Sequence, residues 1–107
     1  MTVSEALKLA GAMRASELGE ETLTALLLGL EAELALEVRG ERLVSRAVTC
    51  TDLAVPAPFD RIYWTYLVAM TDLALGNHEG YVHSLALYRE SREAYARWYQ
   101  RTVGQGG

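Results

Sequence analysis

Residues 55–99 read VPAPFDRIYWTYLVAMTDLALGNHEGYVHSLALYRESREAYARWY, and this stretch decides the fold. All six Tyr, both Trp and the single Phe of the chain lie within it. Because aromatic side chains bury the largest area per residue, we expect the core to form here. Gly76 and Asn77 separate two apolar patterns of helical spacing, and both residues tolerate a positive φ. The stretch therefore predicts a helical hairpin, with helices at 59–75 and 78–99.

Two further helical patterns precede the hairpin. Thr2-x-x-Glu5 has the form of a capping box, and the apolar spacing after it predicts a helix near 3–15. A stripe of apolar residues predicts a second helix near 20–39: Leu23, Leu26, Leu27, Leu30, Leu34 and Val38. Gly40 then fits the left-handed position that follows a helix end.

The chain between the second and third helices gives a weaker signal. Residues 41–55 contain β-branched side chains without regular alternation, and Pro56 and Pro58 follow, which favour an extended chain before them. We expect an extended arm at 41–55 and a flexible tail at 103–107. Together these patterns predict a single all-α domain of four helices over residues 1–107.

Composition limits the possible functions. The chain has 107 residues, is 50% hydrophobic and 22% charged, and so is long enough for one globular core. Its net charge of −4 argues against nucleic-acid binding as the main task. Residues 1–37 carry a net charge of −5 and residues 88–107 carry +2. Ends of opposite charge suit head-to-tail self-association, although surface charges of this kind usually only contact solvent.

The sequence offers no set of residues for catalysis or metal binding. His78 and His83 are five residues apart and therefore lie on different sides of a helix, unlike a zinc-binding pair. Glu33 and Glu37 share one side of a helix, but no neighbouring group gives them different acidities, so we interpret them as a solvated face. Cys50 has no partner for an internal disulfide, and no apolar run approaches the ~20 residues of a membrane span. We predict no enzymatic activity, no metal, no cofactor and no membrane contact.

The last helix combines arginine with aromatic side chains. Such a surface could stack on nucleic-acid bases, but the helical spacing and the acidic net charge favour core packing and a protein interface. We expect the acidic second helix of one copy to meet this helix, or the arm at 41–55, of the next copy. The candidate interface residues are Arg89, Arg92, Arg97, Trp98, Tyr99, Arg101, Glu33 and Glu37.

Several motifs follow one another in a fixed order between residues 52 and 102: Val55-Pro56-Ala57-Pro58-Phe59-Asp60, Tyr63, Tyr66-Leu67, Asp72, Gly76-Asn77, Tyr81, Ser84-Leu85-Ala86-Leu87-Tyr88, Tyr95-Ala96, Trp98-Tyr99 and Arg101-Thr102. In this order they resemble the small head–tail connector (adaptor) proteins of long-tailed bacteriophages. The chain departs from that pattern at four places. It has Phe59, Thr71, Val82-His83 and Arg89 where members of the family carry Tyr, Ile, Asn-Asn and Asn, respectively.

The resemblance implies a four-helix adaptor-type bundle that forms a ring of about a dozen copies beneath the portal. Its implied partners are further copies of itself, the portal protein, a downstream neck or tail protein, and DNA that passes without sequence-specific binding. It implies a place at the head–tail junction of the virion, with assembly in the host cytoplasm. We also expect residues 97–103 to reach the portal side. The alternative is a tetratricopeptide-like helical hairpin that binds proteins, although no repeat with a period of about 34 residues is visible.

Overall fold

The computed structural model describes residues 1–40 and 52–104. This part of the chain contains four α-helices and a short π-helical turn: α1 Val3–Met13, α2 Glu20–Glu37, α3 Arg61–Ala74, α4 His78–Tyr99 and the turn Gln100–Gly104. Its only strand-like pairing is an isolated antiparallel bridge between Thr2 and Asp52. The predicted all-α fold with four helices is confirmed. Three predicted helices extend up to two residues too far, and α4 has the predicted bounds.

Local signals in the sequence set several helix ends. The Thr2 amide donates a hydrogen bond to Glu5 Oε1 (3.0 Å), and the Glu5 amide donates to Thr2 Oγ1 (3.1 Å). This is the predicted capping box, and its hydrogen bonds lower the pKa of Glu5. Gly40 and Gly76 have φ values of 68° and 72°, in the left-handed region that favours glycine. Gly76 directly follows the C-cap of α3, as expected, whereas Gly40 lies three residues beyond the end of α2.

Helix α3 lies at the centre of the domain because it packs against each of the other three helices. Its buried side chains point in every direction around the helix axis: Ile62, Tyr63, Thr65, Leu67, Val68, Ala69, Thr71 and Asp72. Helix α4 covers one side of α3, while α1 and α2 cover the rest and also pack on each other. The aromatic hairpin is thus the centre of the core, as the sequence predicts.

Helix α2 carries apolar residues on its buried side and also on its exposed side. Its inner side buries Leu27, Leu30 and Leu34 against the rest of the domain. Its outer side carries exposed residues at helical spacing, some apolar or small and some polar: Thr22, Ala25, Gly29, Glu33 and Leu36. The predicted leucine stripe corresponds to the inner side. It did not predict an exposed apolar residue such as Leu36, because a helix at the surface normally turns polar side chains to solvent.

The predicted arm is described only at its end, because residues 41–51 lie outside the described part of the chain. Leu53 and Val55 are buried, and the Leu53 amide donates to the Met1 carbonyl at 2.9 Å. These last residues of the arm therefore belong to the core rather than projecting from it. The predicted tail also lies mostly outside the described residues, although Val103 and Gly104 form part of the π-helical turn.

Candidate functional site

Arg92 connects α4 to α2 within one chain. Its guanidinium forms ion pairs with Glu37 and, at 3.5 Å, with Glu33, and it donates a hydrogen bond to the Tyr88 hydroxyl at 3.1 Å. Partial burial works against the charge, but the bond to Tyr88 and the two carboxylates together raise the pKa of Arg92. Glu33 and Glu37 are therefore paired rather than simply solvated. These three residues, which we expected to meet between copies, already meet inside one copy.

A groove of about 550 Å³ lies beside this contact, between α2 and α4. Helix α3 contributes Tyr66, whose ring centre is 5.2 Å from that of Tyr88. Burial raises the pKa of both tyrosines, so their hydroxyls stay protonated at neutral pH. The remaining lining residues come from α2 and α4: Glu33, Leu85, Arg89, Arg92, Glu93 and Ala96.

The other candidate arginines are exposed. Arg89 has no ion pair or side-chain hydrogen bond within the described residues. Arg97 approaches Glu93 at 3.9 Å, and because both side chains are mostly exposed this contact contributes little to stability. Arg101 donates only to the backbone carbonyl of Arg97, at 3.4 Å. The positive charges of these three arginines are thus available to a partner.

Trp98 and Tyr99 belong to a cluster of aromatic rings near the end of α4. The Phe59 ring lies 5.3 Å from Trp98 and 6.4 Å from Tyr95, and the Tyr95 ring lies 6.1 Å from both Trp98 and Tyr99. Tyr95 is buried, whereas the other three residues are half-buried. The cluster packs the end of α4 against the turn before α3, and part of Trp98 and Tyr99 remains open to contact.

The sequence did not predict a buried polar cluster centred on Glu31. The Glu31 carboxylate accepts hydrogen bonds from the Tyr63 hydroxyl (2.8 Å) and from the Ala54 amide (2.7 Å). The Tyr63 hydroxyl in turn accepts a bond from the Val55 amide at 2.9 Å. Burial, followed by the negative charge of Glu31, raises the pKa of Tyr63. This cluster holds the chain before α3 against α2.

Arg39 also belongs to the Glu31 cluster and connects it to Tyr95. Its guanidinium lies 3.8 Å from the Glu31 carboxylate and donates a hydrogen bond to the Tyr95 hydroxyl at 3.0 Å. Arg39 precedes residues 41–51 and Ala54 follows them, so both ends of that segment meet the same carboxylate. The only sequence signal for this arrangement is a glutamate at a buried position within a leucine-rich helix.

A second buried carboxylate, Asp72, joins three helix ends. Arg14 Nε lies 2.7 Å from Asp72 Oδ1, the Ser84 hydroxyl donates to Oδ2 at 3.1 Å, and Asn77 Nδ2 donates to Oδ1 at 3.3 Å. Asp72 itself is completely buried. A Cβ at Gly80 would displace the Asn77 side-chain amide, which bonds Asp72 and caps α4, so glycine suits this position. The cluster fixes the hairpin turn and attaches α1 to it.

The described residues contain no group of three or more His, Cys, Asp or Glu side chains that could hold a metal ion. His78 and His83 are exposed, and Cys50 lies outside the described part. No helix among the described residues is long and apolar enough to cross a membrane. The absence of enzymatic activity and of a cofactor stays a prediction.

No protein-family model, curated protein or solved structure matches this chain. The resemblance to phage connectors therefore rests on the ordered motifs of residues 52–102. Several of these motif residues have clear places in the fold. Tyr63 and Tyr95 belong to the Glu31 cluster, Asp72 and Asn77 form the second cluster, and Gly76 takes the positive φ of the hairpin turn.

Proposed function

We propose that this protein is a head–tail connector of a long-tailed bacteriophage and forms a closed ring of about a dozen copies beneath the portal. The ring extends the DNA channel and offers a docking surface to the next neck or tail component. It works by shape and contact, at the head–tail junction of the virion, after assembly in the host cytoplasm. The acidic balance of the chain suits a channel through which DNA passes without being held.

The ordered motifs of residues 52–102 carry this proposal. In the fold these motifs lie on the α3–α4 hairpin and on the segment that leads into it. Some of their members form buried hydrogen bonds with one another: the Val55 amide donates to the Tyr63 hydroxyl, and the Ser84 hydroxyl donates to Asp72. Buried polar clusters of this kind specify how helices pack. The motif residues therefore have specific packing roles in this fold and do not merely reflect a sequence rich in helix-forming residues. This supports our proposal that the chain has the connector role.

The test is binding to the portal protein encoded in the same phage genome, assembled as a ring. Analytical ultracentrifugation of the wild-type chain with portal rings should show one connector copy per portal subunit, and electron microscopy should show an added ring on the portal axis. A portal from an unrelated phage serves as the control. A chain that stays separate from its portal contradicts the proposal, and a monomer that binds peptides instead supports the hairpin-module alternative.

A further inference from the structure

The last turns of α4 have few contacts with the rest of the domain. Tyr95 is buried, whereas no residue from 96 to 103 is. The π-helical turn Gln100–Gly104 packs against α4 and against no other helix of the described part. Because helices in proteins are stabilised mostly by packing, the position of this end depends on the contacts around Tyr95.

The Tyr95 hydroxyl connects the end of α4 to the Glu31 cluster. It accepts a hydrogen bond from Arg39 at 3.0 Å, and the Arg39 guanidinium lies 3.8 Å from the Glu31 carboxylate. The side chains of Arg39 and Glu31 are 7% and 10% exposed, so solvent screens this ion pair little. The same carboxylate accepts the amide of Ala54 at 2.7 Å. A continuous series of polar contacts therefore runs from the end of α4 to residues 52–55.

Buried polar contacts of this kind do not act independently. Hydrogen bonds in an interior of low dielectric constant polarise one another, and residues of one network show coupling when they are changed in pairs. Loss of the bond to Tyr95 leaves the Arg39 guanidinium less firmly placed, so the buried charge of Glu31 is less well compensated. The hydrogen bond from Ala54 to that carboxylate is then weakened, although Tyr95 itself has no hydrogen bond to residues 52–55.

We propose that the Glu31 cluster couples residues 52–55 to the end of α4, so that a partner bound at one of them changes the local stability of the other. This proposal rests on the proposed function only in naming the portal as the partner at residues 97–103. Coupling of this kind is reciprocal, because each event changes the free energy of the other by the same amount. Portal binding at the end of α4 is therefore expected to stabilise the chain before α3 as well.

Hydrogen exchange of the isolated full-length chain tests the coupling, because it reports local opening at individual amides. Tyr95→Phe removes the hydroxyl and keeps the ring. It should speed exchange of the Ala54 and Val55 amides by about threefold or more. Tyr99→Phe is the matched control, since its ring lies beside that of Tyr95 and its hydroxyl has no hydrogen bond in the described part. The control should change these rates by less than about 1.5-fold.

The amide of Val68, within α3, separates coupling from a general loss of stability. If Tyr95→Phe speeds exchange at Val68 as much as at Ala54 and Val55, the whole domain opens more often and the coupling is overturned. Equal rates at Ala54 and Val55 in Tyr95→Phe and in the wild type also overturn it.

Arg39→Met tests whether the effect passes through Arg39, because methionine keeps an unbranched side chain without charge. In this background Tyr95→Phe should change exchange at Ala54 by less than about 1.5-fold. An equally large effect with and without Arg39 would indicate another route, such as the ring contact between Tyr95 and Phe59, and would overturn the proposal. If Arg39→Met does not fold, the comparison of Tyr95→Phe with its control still decides.

Portal rings from the same phage genome test the role of the partner. Saturating portal should slow exchange of the Ala54 and Val55 amides by about threefold or more in the wild type, and by less than about 1.5-fold in Tyr95→Phe. Equal slowing in both proteins, or none in the wild type, overturns the coupling, whereas portal binding itself still upholds the proposed function. If the wild type does not bind the portal, the proposed function fails, and exchange in the isolated chain still decides the coupling.

Discussion

Replacement of Asp72 by alanine should destabilise the fold by about 2–5 kcal/mol. Ser84 is buried and loses its acceptor, which costs about 1–3 kcal/mol. Breaking a fully buried ion pair costs about 3–5 kcal/mol, but the Arg14 side chain is 39% exposed and can turn to water, so we count only about 1–2 kcal/mol for it. Asn77 is exposed and adds little.

The contrast between two substitutions makes this prediction specific. Asp72→Ala removes every interaction, whereas Asp72→Asn keeps the volume and an oxygen for Ser84 but loses the charge and turns an NH2 group toward the donors Arg14 Nε and Asn77 Nδ2. We expect about 1–2 kcal/mol for the asparagine variant. Urea denaturation followed by circular dichroism gives both free energies of unfolding. A double-mutant cycle with Arg14→Ala should give a coupling of about 1 kcal/mol or more.

Two results would refute this reasoning. One is a loss below about 1 kcal/mol for Asp72→Ala, which would show that the cluster does not hold the helix ends together. The other is a coupling between Asp72 and Arg14 that is zero within about 0.5 kcal/mol. Glu90→Ala is the control, because Glu90 is exposed, has no partner in the described part and should change stability by less than about 0.5 kcal/mol.

Three further tests address separate parts of the structure. The raised pKa of Tyr63 adds stability that is present below about pH 10 and is lost as the pH rises, because the unfolded tyrosine ionises first. Tyr63→Phe should cost about 1–3 kcal/mol at pH 7, because the hydrogen bonds of the hydroxyl are lost. It should also make the free energy of unfolding fall less steeply as the pH rises above about 10. Gly76→Ala should cost about 1–2 kcal/mol at its positive φ, whereas Gly29→Ala should stabilise the helix by up to about 1 kcal/mol. Arg92→Ala should cost about 1 kcal/mol and Arg89→Ala less than about 0.5 kcal/mol.

Urea titrations at pH 7 check all three, and a second series near pH 11 checks the tyrosine. An equally steep alkaline loss in wild type and Tyr63→Phe would contradict the burial of that hydroxyl. Equal effects of alanine at the two glycines would contradict the left-handed turn at Gly76. Equal effects of alanine at the two arginines would contradict the pairing of Arg92 within its chain.

The sequence predicted the features that depend on neighbouring residues. The capping box at Thr2 and Glu5 and the left-handed glycines involve atoms a few residues apart, so their signals are complete in a short stretch. The aromatic hairpin was predictable for a similar reason. Its helices carry apolar side chains at regular spacing, and the turn at Gly76 separates them.

Contacts between distant residues were not predictable in this way. Ala54 and Glu31 are 23 positions apart, and Arg14 and Asp72 are 58 apart, so no periodicity relates their charges. The sequence did indicate that Glu33, Glu37 and Arg92 belong together. It could not indicate that they meet in one chain, because spacing along a helix does not tell which copy supplies the opposite charge.

The Glu31 cluster has a consequence for how this protein can change. Arg39 and Ala54 lie on either side of the segment 41–51 and both contact the buried Glu31 carboxylate, so the chain before and after that segment is held by a shared contact. Closing a longer loop costs only about 0.6 kcal/mol per doubling of its length. We therefore expect a short insertion within 41–51 to leave the free energy of unfolding within about 1 kcal/mol of the wild-type value, which urea denaturation can measure.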